Sequence, residues 1–112
     1  MAQARIRTEI WVSAGIRQWS TRGLGAYVQR RGDAERGMVL LKLSRWREGC
    51  TVQSLTRDLD GKLAWLPGLK GELVPEADAD AYIAREVKRD PDLWVLEIET
   101  TDGSHPFDVS TL

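Results

Sequence analysis

The chain is poor in the residues that most often carry catalysis or covalent cross-links. Its 112 residues include one cysteine, Cys50, and one histidine, His105. A single thiol cannot form an intramolecular disulfide, so a reducing, cytoplasmic location is the default expectation. A Cys–His pair would have to be assembled by the fold, and there is no glycine-rich phosphate loop. The sequence therefore names no reaction, and Cys50 is expected to be a small buried hydrophobe.

The chain also lacks an excess of charge of one sign and a long apolar run. Lys and Arg number 16 and Asp and Glu 17, which gives a net charge of −1. Bulk electrostatics therefore favour neither nucleic acid nor an anionic membrane. Residues 1–7 lack the apolar core of a signal peptide, and no stretch predicts a membrane span. The length predicts a single globular domain over residues 1–112, with a polar C-terminal tail at 101–112.

A helix bounded by prolines is predicted in the second half of the chain. Pro75 can precede a helix from Glu76 to Asp90, where its missing N–H costs nothing. Pro91 ends this helix because it removes a donor and disfavours helical geometry at the preceding residue. Acidic side chains fill the first turns and basic ones the last, which complements the helix dipole. The inward stripe is predicted to consist of Ala79, Ile83 and Val87, with Tyr82 beside it.

Strands are predicted on both sides of this helix. Residues 93–100 form a buried strand, with 94, 96 and 98 on one face and Glu97 and Glu99 on the other. Residues 24–31 and 38–44 predict two strands of a hairpin, the second central because both its faces are apolar. Residues 51–58 and 62–66 predict another hairpin, turned by Asp60-Gly61.

The beginning of the chain allows two interpretations. Alternating apolar residues from Arg5 to Val12 predict a strand, followed by a helix from Ser13 to Arg22. A single long helix from Arg5 to Arg22 is the alternative. With the strand included, the order is β-α-β-β-β-β-α-β. The predicted fold is α+β, a mainly antiparallel sheet of about five to six strands packed with two helices.

Three blocks of residues, in order, resemble a known family over nearly the whole chain. The first is Trp11-Val12-Ser13-Ala14 with Arg17, and the second is Arg31-Gly32-Asp33-Ala34-Glu35 with Gly37. The third is Ala84-Arg85-Glu86 followed by Asp90-Pro91-Asp92-Leu93-Trp94-Val95 and Glu97. Together they are similar to an uncharacterised bacterial family, domain of unknown function 1491. The resemblance implies a compact intracellular domain and brings no activity, cofactor or catalytic residue with it.

Arginines gather in two places and suggest a binding surface. The residues concerned are Arg30, Arg31 and Arg36 at the predicted hairpin tip, and Arg45, Trp46 and Arg47 after the next strand. Guanidinium groups bind carboxylates and phosphates, and an exposed tryptophan can anchor a partner. The leading hypothesis is a non-catalytic binding or adaptor module, with a protein partner favoured over nucleic acid because the net charge is near zero. The alternative is a solvated tip whose arginines Asp33 and Glu35 neutralise, with glycines that permit positive φ.

Two other hypotheses remain open. Asp92, Glu97 and Glu99 could hold a metal or act as acid–base groups in a small enzyme on an acidic or phosphorylated metabolite. Against this, the lysine that the nuclease pattern needs two residues after its glutamate is missing. The other hypothesis is a homodimer joined by sheet edges or an exposed tryptophan. No cofactor or membrane partner is implied; Trp11 is expected to cover the core, and Phe107 to attach the tail to the sheet edge.

Overall fold

The computed structural model describes residues 6–112, which form one sheet with a helix on each face. The predicted α+β class is confirmed. Three short 3₁₀ turns lie at Trp46–Glu48, Leu69–Gly71 and Val109–Thr111. The helices and strands, in chain order, are α1 (Thr8–Ser20), β1 (Ala26–Arg30), β2 (Val39–Ser44), β3 (Cys50–Arg57), β4 (Leu63–Pro67), α2 (Glu76–Arg89) and β5 (Trp94–Glu99).

The strand order across the sheet is β1-β5-β2-β3-β4, with β2 and β5 parallel and the other neighbours antiparallel. The hairpin predicted between residues 24–31 and 38–44 is wrong, because β5 lies between β1 and β2. Both β2 and β5 are buried along nearly their whole length, so each needs a neighbour on both sides, whereas β1 is largely exposed and suits an edge. The β3–β4 hairpin is confirmed, as is the central position of β2.

The strand predicted before α1 is also wrong over the described residues, since the helix begins at Thr8 rather than at Ser13. Arg5 lies outside the described residues. The buried residues of α1 are Thr8, Trp11, Val12, Gly15 and Trp19, which follow the helical period. The first helical N–H groups are satisfied by the loop before β2, where Thr8 N donates to Glu35 O at 3.1 Å and Glu9 N to Ala34 O at 2.9 Å. This loop replaces the side-chain cap that Ser13 was expected to supply.

The sheet separates two apolar cores. On one face, Trp94, Leu96 and Ile98 pack with α1 and with Phe107 of the C-terminal segment, and Trp11 is buried there as expected. On the other face, Leu40, Cys50 and Val95 pack against the predicted stripe of α2, formed by Ala79, Ile83 and Val87 with Tyr82 beside it. Within residues 6–112, no helix has the length and apolar character needed to span a membrane.

Candidate functional site

The structure places the two predicted arginine groups at opposite ends of β2. Arg30, Arg31 and Arg36 lie near its beginning, and Arg45, Trp46 and Arg47 follow its last residue. A strand of this length spans about 20 Å, so the six residues do not form one pocket. The two groups therefore have to be considered separately.

The first group is largely engaged within the protein. Arg30 Nη1 donates to Leu93 O at 2.7 Å, and Arg31 Nη2 pairs with Glu9 Oε2 at 2.7 Å. The Arg31 guanidinium also lies 5.0 Å from the centre of the Trp94 ring, although 64% of its side chain is exposed. Arg36 is exposed, and its backbone N–H donates to Asp33 Oδ2 at 2.8 Å. Basic and acidic groups thus alternate at this end and leave little excess positive charge.

The glycines of the same loop allow close approach between segments. A Cβ on Gly32 would overlap the carbonyl oxygen of Asp92, and one on Gly37 would lie 2.7 Å from that oxygen. Neither glycine has a positive φ, so the expectation that they serve for positive φ is wrong. Their small size lets the loop contact the beginning of β5.

The second group contains two aromatic side chains joined by one carboxylate. Trp46 Nε1 donates to Glu99 Oε2 at 3.2 Å, and Tyr27 Oη donates to Glu99 Oε1 at 3.2 Å. Both aromatic residues are 52% exposed. The negative charge of Glu99, together with this hydrogen bond, raises the pKa of Tyr27. We call Tyr27, Trp46 and Glu99 the Glu99 platform; it lies on the face of the sheet that α2 partly covers.

Beside the Glu99 platform lies a buried lysine surrounded by carboxylates. Lys42 is 3% exposed, and its Nζ lies 2.8 Å from Glu76 Oε2, 2.8 Å from Asp80 Oδ1 and 3.3 Å from Glu97 Oε1. Burial by itself lowers the pKa of Lys42, but the hydrogen bonds from Asp80 and Glu76 and the charge of Glu97 raise it overall. Lys42 therefore stays protonated near neutral pH and is suited to hold α2, β2 and β5 together rather than to act as a base.

Four residues of this region were not predicted from the sequence as site residues: Tyr27, Lys42, Glu76 and Asp80. Lys42 carried a usable signal, because alternation along β2 places it on the same face as Leu40, toward a helix rich in acidic residues. The position of Tyr27 beside Glu99 carried no such signal, since it depends on the pairing of β1 with β5.

The residues considered for catalysis are dispersed. Asp92 precedes β5 and Glu99 ends it, which separates them by about 20 Å at strand rise. Glu97 accepts from Gln29 Nε2 at 2.7 Å in addition to its contact with Lys42. In the part of the chain that the structure describes, no three His, Cys, Asp or Glu side chains are grouped to hold a metal ion.

Cys50 and His105 lie on opposite faces of the sheet and do not form a pair. Cys50 is buried in the core beneath α2, and burial raises the pKa of its thiol. His105 packs on the other face against Trp65, where its Nδ1 accepts from Phe107 N at 3.1 Å. Burial lowers the pKa of His105, which favours the neutral ring. Cys50 is thus the buried hydrophobe expected from the sequence.

Comparisons with known proteins agree with this fold. The family model described as "Protein of unknown function (DUF1491)" matches residues 6–108. A crystal structure of a DUF1491 family protein from Caulobacter crescentus CB15 is 41% identical, with a TM-score of 0.80 over 90% of this chain and 94% of that one. An NMR structure of a DUF1491 family protein from the same organism is 39% identical, with a TM-score of 0.82 over 95% and 94% of the two chains.

A more distant neighbour has the same architecture. The solution structure of protein Atu0922 from A. tumefaciens is 25% identical, with a TM-score of 0.76 over 96% of this chain and 94% of that one. No curated protein matches the chain. The family model covers most of the sequence and both Caulobacter structures are more than one-third identical to it, so this chain belongs to the DUF1491 family of proteins of unknown function.

Proposed function

We propose that the protein is a cytoplasmic, non-catalytic binding module that docks a protein partner on the Glu99 platform. The observation that carries this proposal is the pair of hydrogen bonds by which Glu99 holds Trp46 and Tyr27, both half-exposed, in fixed positions. Exposed tryptophan and tyrosine side chains are enriched among residues that dominate protein interfaces. Because these rings are already oriented, binding a partner costs less of the conformational entropy of their side chains.

The backbone supports the same interpretation. Trp46 has a φ of 54°, a left-handed conformation that is uncommon for a bulky residue. Backbone strain of this kind persists only where surrounding contacts maintain it, and it concentrates at functional sites. Here the turn that contains Trp46 is closed by backbone hydrogen bonds from Arg45 N to Gly49 O at 2.9 Å and from Glu48 N to Arg45 O at 3.1 Å, and the indole contacts Glu99.

The charges around the Glu99 platform indicate what the partner presents. Four carboxylates lie there, Glu76, Asp80, Glu97 and Glu99, and they outnumber the buried cation Lys42 and the exposed Arg47. A basic side chain of the partner would be attracted by these carboxylates and could rest against the face of an aromatic ring. A nucleic acid would be repelled, since its affinity for proteins depends on neutralised phosphates. The partner we propose is therefore a protein segment containing arginine or lysine.

Exposed arginines at the two ends of β2 offer further contacts. Arg36 and Arg31 remain accessible at the beginning of β2, and Arg47 is exposed next to Trp46. Acidic groups of the same partner could pair with them, Arg30 and Arg45 being more enclosed. These contacts are secondary in the proposal, because neighbouring acids already neutralise part of the first group.

The test is an NMR titration with two blocked pentapeptides, one with two arginines and one with two glutamates in the same positions. We expect the arginine peptide to shift the Trp46 indole N–H signal saturably and the glutamate peptide to leave it unchanged. Replacing Glu99 by Gln should weaken this binding, whereas Glu72→Gln, at an exposed site outside the Glu99 platform, should not. Equal effects of the two peptides, or identical binding by both variants, would contradict the proposal.

A further inference from the structure

Arg45 opens onto a pocket on the face of the sheet opposite the Glu99 platform. The pocket has a volume of about 270 Å³, and its lining includes Arg45, Thr51, Gln53, Pro67, Asp102 and Gly103. Thr51 and Gln53 pair with Leu43 and Leu41 across the β2–β3 ladder and therefore share their face, the one that α1 covers. Arg45 and Trp46 are adjacent in the chain, but Arg45 lines this pocket and Trp46 belongs to the Glu99 platform on the opposite face.

The Arg45 guanidinium lacks the acceptors that such a group normally has. Its Nε is buried and has no hydrogen-bond partner among the described residues, and no ion pair within residues 6–112 includes Arg45. The guanidinium lies over the loop after β5, with Nη2 2.9 Å from where a Cβ of Gly103 would be. A side chain at position 103 would displace the guanidinium, so the glycine makes room for Arg45.

The carboxylate in the pocket wall is engaged elsewhere. Asp102 Oδ1 accepts from Ser104 N at 2.9 Å and lies 3.3 Å from Thr100 Oγ1, which are contacts within its own turn. A buried charged donor without an acceptor is unfavourable, and buried polar groups in native proteins are nearly always satisfied. Because Nε is buried, an acceptor from outside the protein would reach the guanidinium through its Nη groups and balance the charge that Nε shares with them.

We propose that this pocket binds a singly charged carboxylate group through Arg45. A guanidinium presents parallel N–H groups that match the two oxygens of a carboxylate. The volume lies below the range of about 300–1,000 Å³ typical of drug-sized ligands, which suits one small group rather than a large molecule. Asp102 adds a negative charge to the lining and disfavours a phosphate dianion more strongly than a monoanion.

The carboxylate can belong to a free small acid or to an acidic side chain of a peptide. This inference does not depend on the proposed function, because the pocket and the Glu99 platform share no residue and face opposite ways. The titration therefore uses acetate for the first source and a blocked tripeptide with a central glutamate for the second. Acetamide is the neutral control for acetate, and inorganic phosphate tests the preference for a monoanion.

The readout is the Nε–H signal of Arg45 in ¹⁵N-labelled protein, at constant ionic strength maintained with chloride. We expect a saturable shift with acetate and none with acetamide. Arg45→Lys keeps the charge and removes the paired Nη groups of the guanidinium. The protection of the fold against heating by acetate should then require about tenfold more acetate, the equivalent of one charge-assisted hydrogen bond. Arg89→Lys, the same replacement at an exposed helix end, should leave acetate binding unchanged.

A second variant keeps the proposal testable if Arg45→Lys does not fold. Asp102→Asn removes the negative charge of the lining and should strengthen binding of inorganic phosphate relative to acetate. Tighter binding of the tripeptide than of acetate would assign the site to an acidic side chain, and weaker binding would assign it to a free acid; both outcomes support a carboxylate site. The proposal would be overturned if neither acetate nor acetamide shifted the Arg45 signal. It would also be overturned if the parent protein bound inorganic phosphate more tightly than acetate.

Discussion

Replacing Lys42 by Met tests whether this buried lysine stabilises the fold as the geometry indicates. Methionine conserves most of the volume, so the change isolates the loss of charge from the loss of packing. Removing one partner of a fully buried ion pair costs about 3–5 kcal/mol. Here two of the three carboxylates can be rehydrated, since the side chains of Glu76 and Asp80 are 62% and 55% exposed.

Only Glu97, whose side chain is 18% exposed, is left strongly desolvated and without its cation. We therefore expect Lys42→Met to lower the free energy of unfolding by about 1–2 kcal/mol, below the fully buried value. Lys42→Ala should cost more because it also leaves a cavity. The measurement is urea unfolding at pH 7 with Lys88→Met, on the exposed part of α2, as the matched control.

The pH dependence has a definite sign. Because the folded-state pKa of Lys42 is raised, its contribution is fully present below the unfolded-state pKa of about 10.4 and is lost as pH rises through the folded-state pKa. Lys42 is protonated at both pH 7 and pH 9, so its charge should contribute equally at the two pH values to the difference in unfolding free energy between the parent and Lys42→Met. Adding Glu97→Gln to Lys42→Met should recover part of the loss. A Lys42→Met protein as stable as the parent would refute this account and show that desolvation of the lysine cancels the gain from its three contacts.

Three further substitutions or modifications test the fold. Trp94→Ala should lower the free energy of unfolding by about 3–5 kcal/mol, measured in urea, because this side chain is fully buried in the core; an unchanged midpoint would contradict its assignment there. Gly32→Ala should destabilise the protein, since the new methyl group would overlap the Asp92 carbonyl; a melting temperature equal to that of the parent would argue against this close approach. Cys50 should react with a thiol reagent much more slowly in the folded protein than in urea, as burial raises the pKa of its thiol; equal rates would show that it is accessible.

Local signals predicted the second half of the fold well. Pro75 and Pro91 bound α2 through their own backbone chemistry, and Asp60-Gly61 specifies a turn between adjacent strands. The beginning of the chain was harder, because residues 6, 8, 10 and 12 alternate while Thr8, Trp11 and Val12 fit a helix. The carbonyl groups that start α1 come from a loop far along the chain, so the sequence near Thr8 contains no cap to identify.

The candidate site shows the same division. A tryptophan between two arginines could either be an exposed anchor or cover the core, and the structure shows that Trp46 is exposed. The separation of the two arginine groups also followed from strand length alone. The contact of Tyr27 with Glu99 could not be predicted, because the sequence favoured a β1–β2 hairpin over the insertion of β5 between them.

The insertion of β5 also constrains how the protein can be made. Residues 94–99 form an interior strand between β1 and β2, yet they are synthesised after every other strand. Until they emerge from the ribosome, β1 has no partner strand and β2 has one unpaired edge, so the nascent chain exposes apolar surface and unpaired backbone groups. Pairing between distant residues slows folding, since the chain must close long loops first. Premature termination before residue 94 should therefore yield an aggregation-prone fragment rather than a smaller working domain.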